Sequence, residues 1–282
     1  MAMNAGASLP AARQLCEQVA AAGGVVPPVL TQLLDAVTLL AEHPAPRDPV
    51  KPIVAAAAAG ELTDETLTEL LAAAARDAAA ADYRGSIRAR VETAVLDRFH
   101  RALVAGAADE ILDSLRESFT EAATQLTDAL ATVDTSVDPR QLADQGTAEE
   151  LAAYRSIRPA VQRLDEIASL AALFGPRSIS WAVIDQPDVI EMRGVVDEAL
   201  MTTDSDLMQA GAAFRARRSD IRSSPWLRLT PRLNSISQAK ERLRQFAETA
   251  WDELNANPPA TFDERGNTVP IPRTNPYEAV DA

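Results

Sequence analysis

The chain has 282 residues, 47% hydrophobic but only 4% aromatic, and a formal net charge of −14. So acidic a molecule is unsuited as a whole to nucleic acid or an anionic membrane, although a basic sub-region could still bind one locally. A single cysteine, Cys16, excludes an intramolecular disulfide and a cysteine metal cage; it fits a reducing compartment and reads as a small buried hydrophobe.

Ser8 caps a first helix, with Pro10 in its opening turn and Gly23-Gly24 as its stop. A second helix follows Pro27-Pro28, with Val29, Leu30, Leu33, Leu34, Val37 and Leu40 on one face. Four prolines in the ten residues from His43 to Pro52 make a stiff linker. The alanine run from Thr68 to Tyr83 belongs to a helix capped by Thr63, with Asp64 and Glu65 in its first turn. Leu67, Leu70, Leu71, Ala74 and Ala78 recur there at helical spacing, and their small neighbours let a second helix approach closely. Ile87, Val91, Val95, Phe99 and Leu103 continue the stripe.

Two seams then compete. One is an eleven-residue pattern through Ile111, Leu115, Phe119, Ala122, Leu126, Leu130 and Val133. The other is a heptad pattern through Leu112, Leu115, Phe119, Ala122, Leu126, Ala129 and Val133. Arg98, His100 and Arg101, then Gly106, then Asp109 and Glu110 read as one helix end and a new beginning. A kink or tight hairpin is expected there rather than one rod.

Asp134 to Gly146 reads as a loop, and Thr147 with Glu150 forms a capping box. The helix that follows carries Leu151, Tyr154, Val161, Leu164, Ala168 and Ala171; Pro159 should kink or divide it, and Gly175-Pro176 stops it. Arg177 to Ile184 alternates like a strand, but a lone strand makes no sheet, so a buried extended connector is expected. Pro187 opens a helix to Leu200, Asp204 or Ser205 caps one through Arg222, and Ser235 or Ser237 starts the last. After Asn257, five prolines in 26 residues mark an extended or disordered tail, in which Asp263 to Asn267 could close a small hairpin.

The expected fold is all-α: an elongated helical bundle with coiled-coil-like hairpins and a proline-rich C-terminal tail. Four segments organise it: a helical pair with its linker (1–50), long alanine-rich helices (51–146), a C-terminal helical domain (147–256) and the tail (257–282).

The inventory for chemistry is poor. No phosphate-loop, dinucleotide or nucleophile-elbow pattern occurs, and no catalytic residue, cofactor, metal or small-molecule substrate is indicated. His43 lies in the linker. His100 stands three residues from Asp97, but no second histidine completes a di-metal set, so it reads as a solvent-facing or helix-terminal residue. The acid pairs Asp109-Glu110, Glu149-Glu150 and Asp165-Glu166 are sequence neighbours, which point about 100° apart on a helix.

Charge is distributed unevenly. From Glu61 to Glu150, 19 acids face 8 arginines; from Arg215 to Arg244, nine cations face only Asp220 and Glu241. Arg215, Arg217, Arg218, Arg222, Arg228 and Arg232 are the candidate partner-binding residues, unless they pair internally with acids such as Asp109, Asp113 or Glu117. Arginine outnumbers lysine 25 to two, a bias of GC-rich bacterial and phage genomes. As a class, the profile resembles bacterial or phage assembly proteins such as scaffolds, with no residue role to carry over.

The expectation is a non-enzymatic helical interaction or assembly protein that self-associates through its alanine-rich helices and docks a protein partner through the basic stretch or the tail. The alternatives are a nucleic-acid accessory protein using residues 215–244, and an enzyme with an unrecognised helical site. No leader or spanning segment is evident, so a cytoplasmic location is expected, in a host cell or a virion if the chain is phage-encoded.

Overall fold

A computed structural model describes residues 7–42, 50–61, 63–184, 197–204, 206–218, 220–256, 260–262, 265 and 268–270. Within them the fold is all-α, with one short hairpin. No helix among the described residues is long and apolar enough to cross a membrane.

Helix α1 (Leu9–Ala21) starts where expected: the Ser8 hydroxyl accepts from the Ala11 amide at 3.3 Å. It ends in a left-handed turn at Gly23 (φ 72°), and the Gly24 amide donates to the Val19 carbonyl. Helix α2 (Pro28–Glu42) follows the proline pair. The linker expected at His43 to Pro52 lies outside the described residues as far as Pro49. Its end belongs instead to α3 (Lys51–Ala59), where Pro52 sits in the first turn and lacks only an amide that no helical bond needs.

Helix α4 (Asp64–Ala102) contains the alanine run. Its cap is reciprocal: the Thr66 amide donates to the Thr63 hydroxyl, and the Thr63 amide donates to the Thr66 hydroxyl at 2.7 Å. Gly85 does not interrupt it. The break comes at a π-turn, Leu103–Ala107, kinked where Gly106 takes φ 131°. Helix α5 (Ala108–Thr132) continues beyond the kink and packs along α7 (Ala148–Ala171), not back along α4. Of the two alternatives at Gly106, the structure has the kink.

The two seams share most of their residues and both face inward: Ile111, Leu112, Leu115, Phe119, Ala122, Leu126, Ala129 and Val133 are all buried, and only Leu130 of the eleven-residue pattern is half-buried. Ile157, Ala160, Val161, Leu164, Ile167 and Ala168 face the same core from α7. Each large side chain buried there contributes roughly 1.5–3 kcal/mol. Pro159 neither ends nor divides α7; its ring lies on the exposed face, away from the packing. Thr147 and Glu150 form the expected capping box. Between α5 and α7, Asp138 caps a short helix, α6 (Pro139–Gln145), where a loop was expected.

Arg177 to Ile184 forms turns rather than a strand, and Trp181, Val183 and Ile184 are buried. The helix expected from Asp188 lies mostly outside the described residues; its end, Asp197–Leu200, is a 3₁₀ turn. Asp206, not Asp204 or Ser205, caps α8 (Leu207–Arg215), which stops well short of Arg222. Helix α9 (Ile236–Ala256) is capped twice at its start. Ser235 Oγ accepts from the Gln238 amide, and Asp109 of α5 accepts from the Ile236 amide at 2.6 Å. Beyond it, β1 (Ala260–Phe262) and β2 (Thr268–Pro270) pair antiparallel, with Thr261 opposite Val269. Most of the proline-rich tail lies outside the described residues.

Candidate functional site

The basic stretch is seated by Trp226. This side chain is 1% exposed and packs edge-to-face on Phe119 of α5 (5.9 Å) and Phe214 of α8 (5.1 Å). Its Nε1–H donates to Asp165 Oδ1 on α7 at 2.7 Å. The other carboxylate oxygen, Oδ2, pairs with Arg217 at 2.7 Å. Burial pushes the Asp165 carboxyl up, while the Trp226 bond and Arg217 pull it down. Asp165 therefore clamps the loop to the core, and Arg217 is partly a structural cation.

The six candidate arginines are all exposed but not equivalent. Arg222 donates to the Val137 carbonyl at 2.9 Å, and Arg217 pairs with Asp165. Arg215 also has an interaction partner. Arg218, Arg228 and Arg232 are exposed and hold no ion pair with a described residue. Farther on, Arg242 donates to the Thr202 and Asp204 carbonyls, and Arg244 pairs with Glu241 and Glu248 along α9.

Internal pairing does occur, but not with the acids expected from sequence. Asp109 caps α9, and Asp113 pairs with Arg116, whose guanidinium also donates to the Leu233 carbonyl at 2.7 Å. Asp165 is the acid that matters, although the sequence showed it only as a member of an adjacent pair.

Arg222 also lines a pocket that sequence reading did not single out. Arg155, Arg158 and Tyr154 of α7 form one wall, and Arg222, Ile221 and Leu227 the other, around a volume of about 320 Å³. The signal for it was legible: on α7 no acid stands three or four residues from either Arg155 or Arg158.

A buried acid pair lies elsewhere. Asp197 and Glu198 are 8% and 2% exposed. Arg177 meets both, binding Glu198 through one nitrogen at 3.0 and 2.8 Å and Asp197 at 3.3 Å. Burial raises the Asp197 carboxyl to about 6, with Arg177 opposing and Glu198 reinforcing the rise. Asp197 Oδ1 has no hydrogen-bond partner among the described residues and lies against Gly175, where a Cβ would collide with it. The trio fastens the turn after α7 to the 3₁₀ turn at Asp197–Leu200.

No group of three or more potential metal ligands occurs among the described residues. His100 is half-buried rather than solvent-facing, and its Nε2–H donates to the Ala182 carbonyl at 2.9 Å. His43 lies outside the described residues. Cys16 is half-buried against the core, and burial raises its thiol pKa. No protein-family model, curated protein or solved structure was found to match the chain.

Proposed function

We propose that the chain is a non-enzymatic helical assembly protein that self-associates through α3 and the first part of α4 and docks a protein partner through its exposed arginines. One observation carries the reading. From Val50 to Ala94 no described residue is buried, and Val95 is the first buried side chain of α4 among the described residues. Helix α4 has 39 residues, which at ~1.5 Å each is roughly 60 Å, so most of its length lies outside the core.

Helical stability in water comes mainly from burying an amphipathic face, and here Val50 just before α3, Val54 on α3 and Leu71 on α4 are left 56%, 59% and 53% exposed. The complementary surface is a second copy. Asp64, Glu65 and Glu69 are exposed at the start of α4, and Arg88 and Arg90 are exposed farther along it. Two copies laid antiparallel place the acidic end of each beside the basic end of the other. The internal Arg88–Glu92 pair, at 2.8 Å, is solvent-exposed and weak enough to yield.

Light scattering on the purified full chain tests this. The expected mass is at least twice the chain's 30.1 kDa. Val54→Gln with Leu71→Gln should give a monomer. Reversing Arg88 and Arg90 to glutamate should also dissociate it, and reversing Asp64 and Glu65 to lysine as well should restore it. A monomer at every concentration would refute the reading. Salt-sensitive retention on DNA that depends on Arg218, Arg228 and Arg232 would favour the nucleic-acid alternative instead.

A further inference from the structure

We propose that the pocket between α7 and the 3₁₀ turn Ile221–Ser223 binds a small organic anion, an oxyanion carried on an apolar body. This inference is independent of the self-association reading, because the pocket lies apart from α3 and α4.

Three arginines line this one pocket: Arg155, Arg158 and Arg222. Arg155 and Arg158 lie three residues apart on α7, so they leave the same face of the helix. Neither pairs with an acid among the described residues. Arg222 is held in place by its 2.9 Å bond to the Val137 carbonyl, which carries no net charge to neutralise it. Acids do occur in the neighbouring loops, but they are turned to backbone amides. Asp134 accepts from Ser136, Asp138 from Arg140, and Asp220 from the Arg222 amide. Like charges brought together without a counter-charge repel, and an arriving oxyanion removes that repulsion while accepting paired N–H bonds from the planar guanidinium forks.

The rest of the lining selects what carries the anion. Tyr154, Ile157, Ile221 and Leu227 give the pocket an apolar wall. Its volume of about 320 Å³ is at the lower end of small-molecule sites, which run from ~300 to 1,000 Å³. That is room for one ring or a short branched chain bearing one charged head, not for a nucleic-acid duplex.

Isothermal titration of the full chain with four probes tests the proposal: phenyl phosphate, benzoate, inorganic phosphate and benzyl alcohol. At least one aromatic anion should bind, and the tighter of the two identifies the head group as phosphate or carboxylate. Inorganic phosphate should bind about tenfold more weakly or worse, because it leaves the apolar wall wet. Benzyl alcohol should give no heat. Arg155→Gln with Arg158→Gln should weaken the aromatic anion about tenfold or more, since charge-assisted bonds are lost, without lowering the melting temperature. The proposal is overturned if neither aromatic anion binds, if inorganic phosphate or benzyl alcohol binds as tightly, or if the double variant binds like the parent.

Discussion

Asp197 shows how one side chain ties stability to pH. Its carboxyl is raised from 3.8 to about 6, chiefly by burial. Between those values the folded chain holds a proton that the unfolded chain has released. The stability this contributes is complete below the unfolded value and is lost as pH rises through about 6. A tenfold change in proton affinity is worth about 1.4 kcal/mol, so the loss is on the order of 2–3 kcal/mol. Asp197→Asn carries no such charge. It should be more stable than the parent above pH 6 and should flatten the pH dependence, as read from urea midpoints across this window. Equal slopes in the two proteins would show that Asp197 is ionised throughout. Gly175 is constrained by the same carboxylate, for its φ is ordinary and only the close approach of Oδ1 forbids a side chain.

Between elements, Arg163 does the joining. From α7 it donates to the Ala22 carbonyl at the end of α1 (2.6 Å) and to Ser118 of α5 (2.8 Å), and it pairs with Glu166 (3.2 Å). The Val25 amide adds a bond to Ser114 of α5 at 2.9 Å. Arg163→Met keeps the aliphatic stem but loses all three polar bonds. It should cost about 1–3 kcal/mol in denaturant unfolding, because charge-assisted bonds to part-buried acceptors are lost. A change within error would mean that apolar packing alone docks α1. Gly106 acts at the same scale. At φ 131° with nothing near its Cβ position, Gly106→Ala meets backbone strain but no steric clash. It should lower stability by about 1–3 kcal/mol if the kink is kept. A neutral substitution would mean that α4 and α5 can straighten.

In the whole molecule, the core and the alanine-rich helices behave differently. A single apolar cluster runs from Ala12 of α1 to Ala247 of α9, through α5 and α7. The described residues from Val50 to Ala94 add no buried side chain to it. If a second copy covers that stretch, association is linked to folding, and the melting temperature should rise with protein concentration. Circular dichroism melts over a hundredfold concentration range would show the rise. A concentration-independent melt together with a monomeric mass would leave α3 and α4 without a covering partner of this kind.

Local rules were legible because they depend on neighbours a few residues apart. The caps at Ser8, Thr63 and Thr147, the stops at Gly23 and Gly175, the break at Gly106 and the apolar stripe of α5 all follow from spacing and side-chain chemistry within a turn or two. The same short-range logic gave the all-α class and located the surplus of arginine after Arg215. What joins distant residues was not legible. Asp165 meets Trp226 across 61 positions, Asp109 meets Ile236 across 127, and Arg116 reaches Leu233 across 117. No periodicity reports such pairs, because each exists only once packing has brought two helices side by side. Thus the sequence by itself determined the helices, most of their ends and the sign of the charge along them. Only the tertiary structure decided which arginines are held by internal partners, which face outward, and that Arg222 joins Arg155 and Arg158 around one pocket.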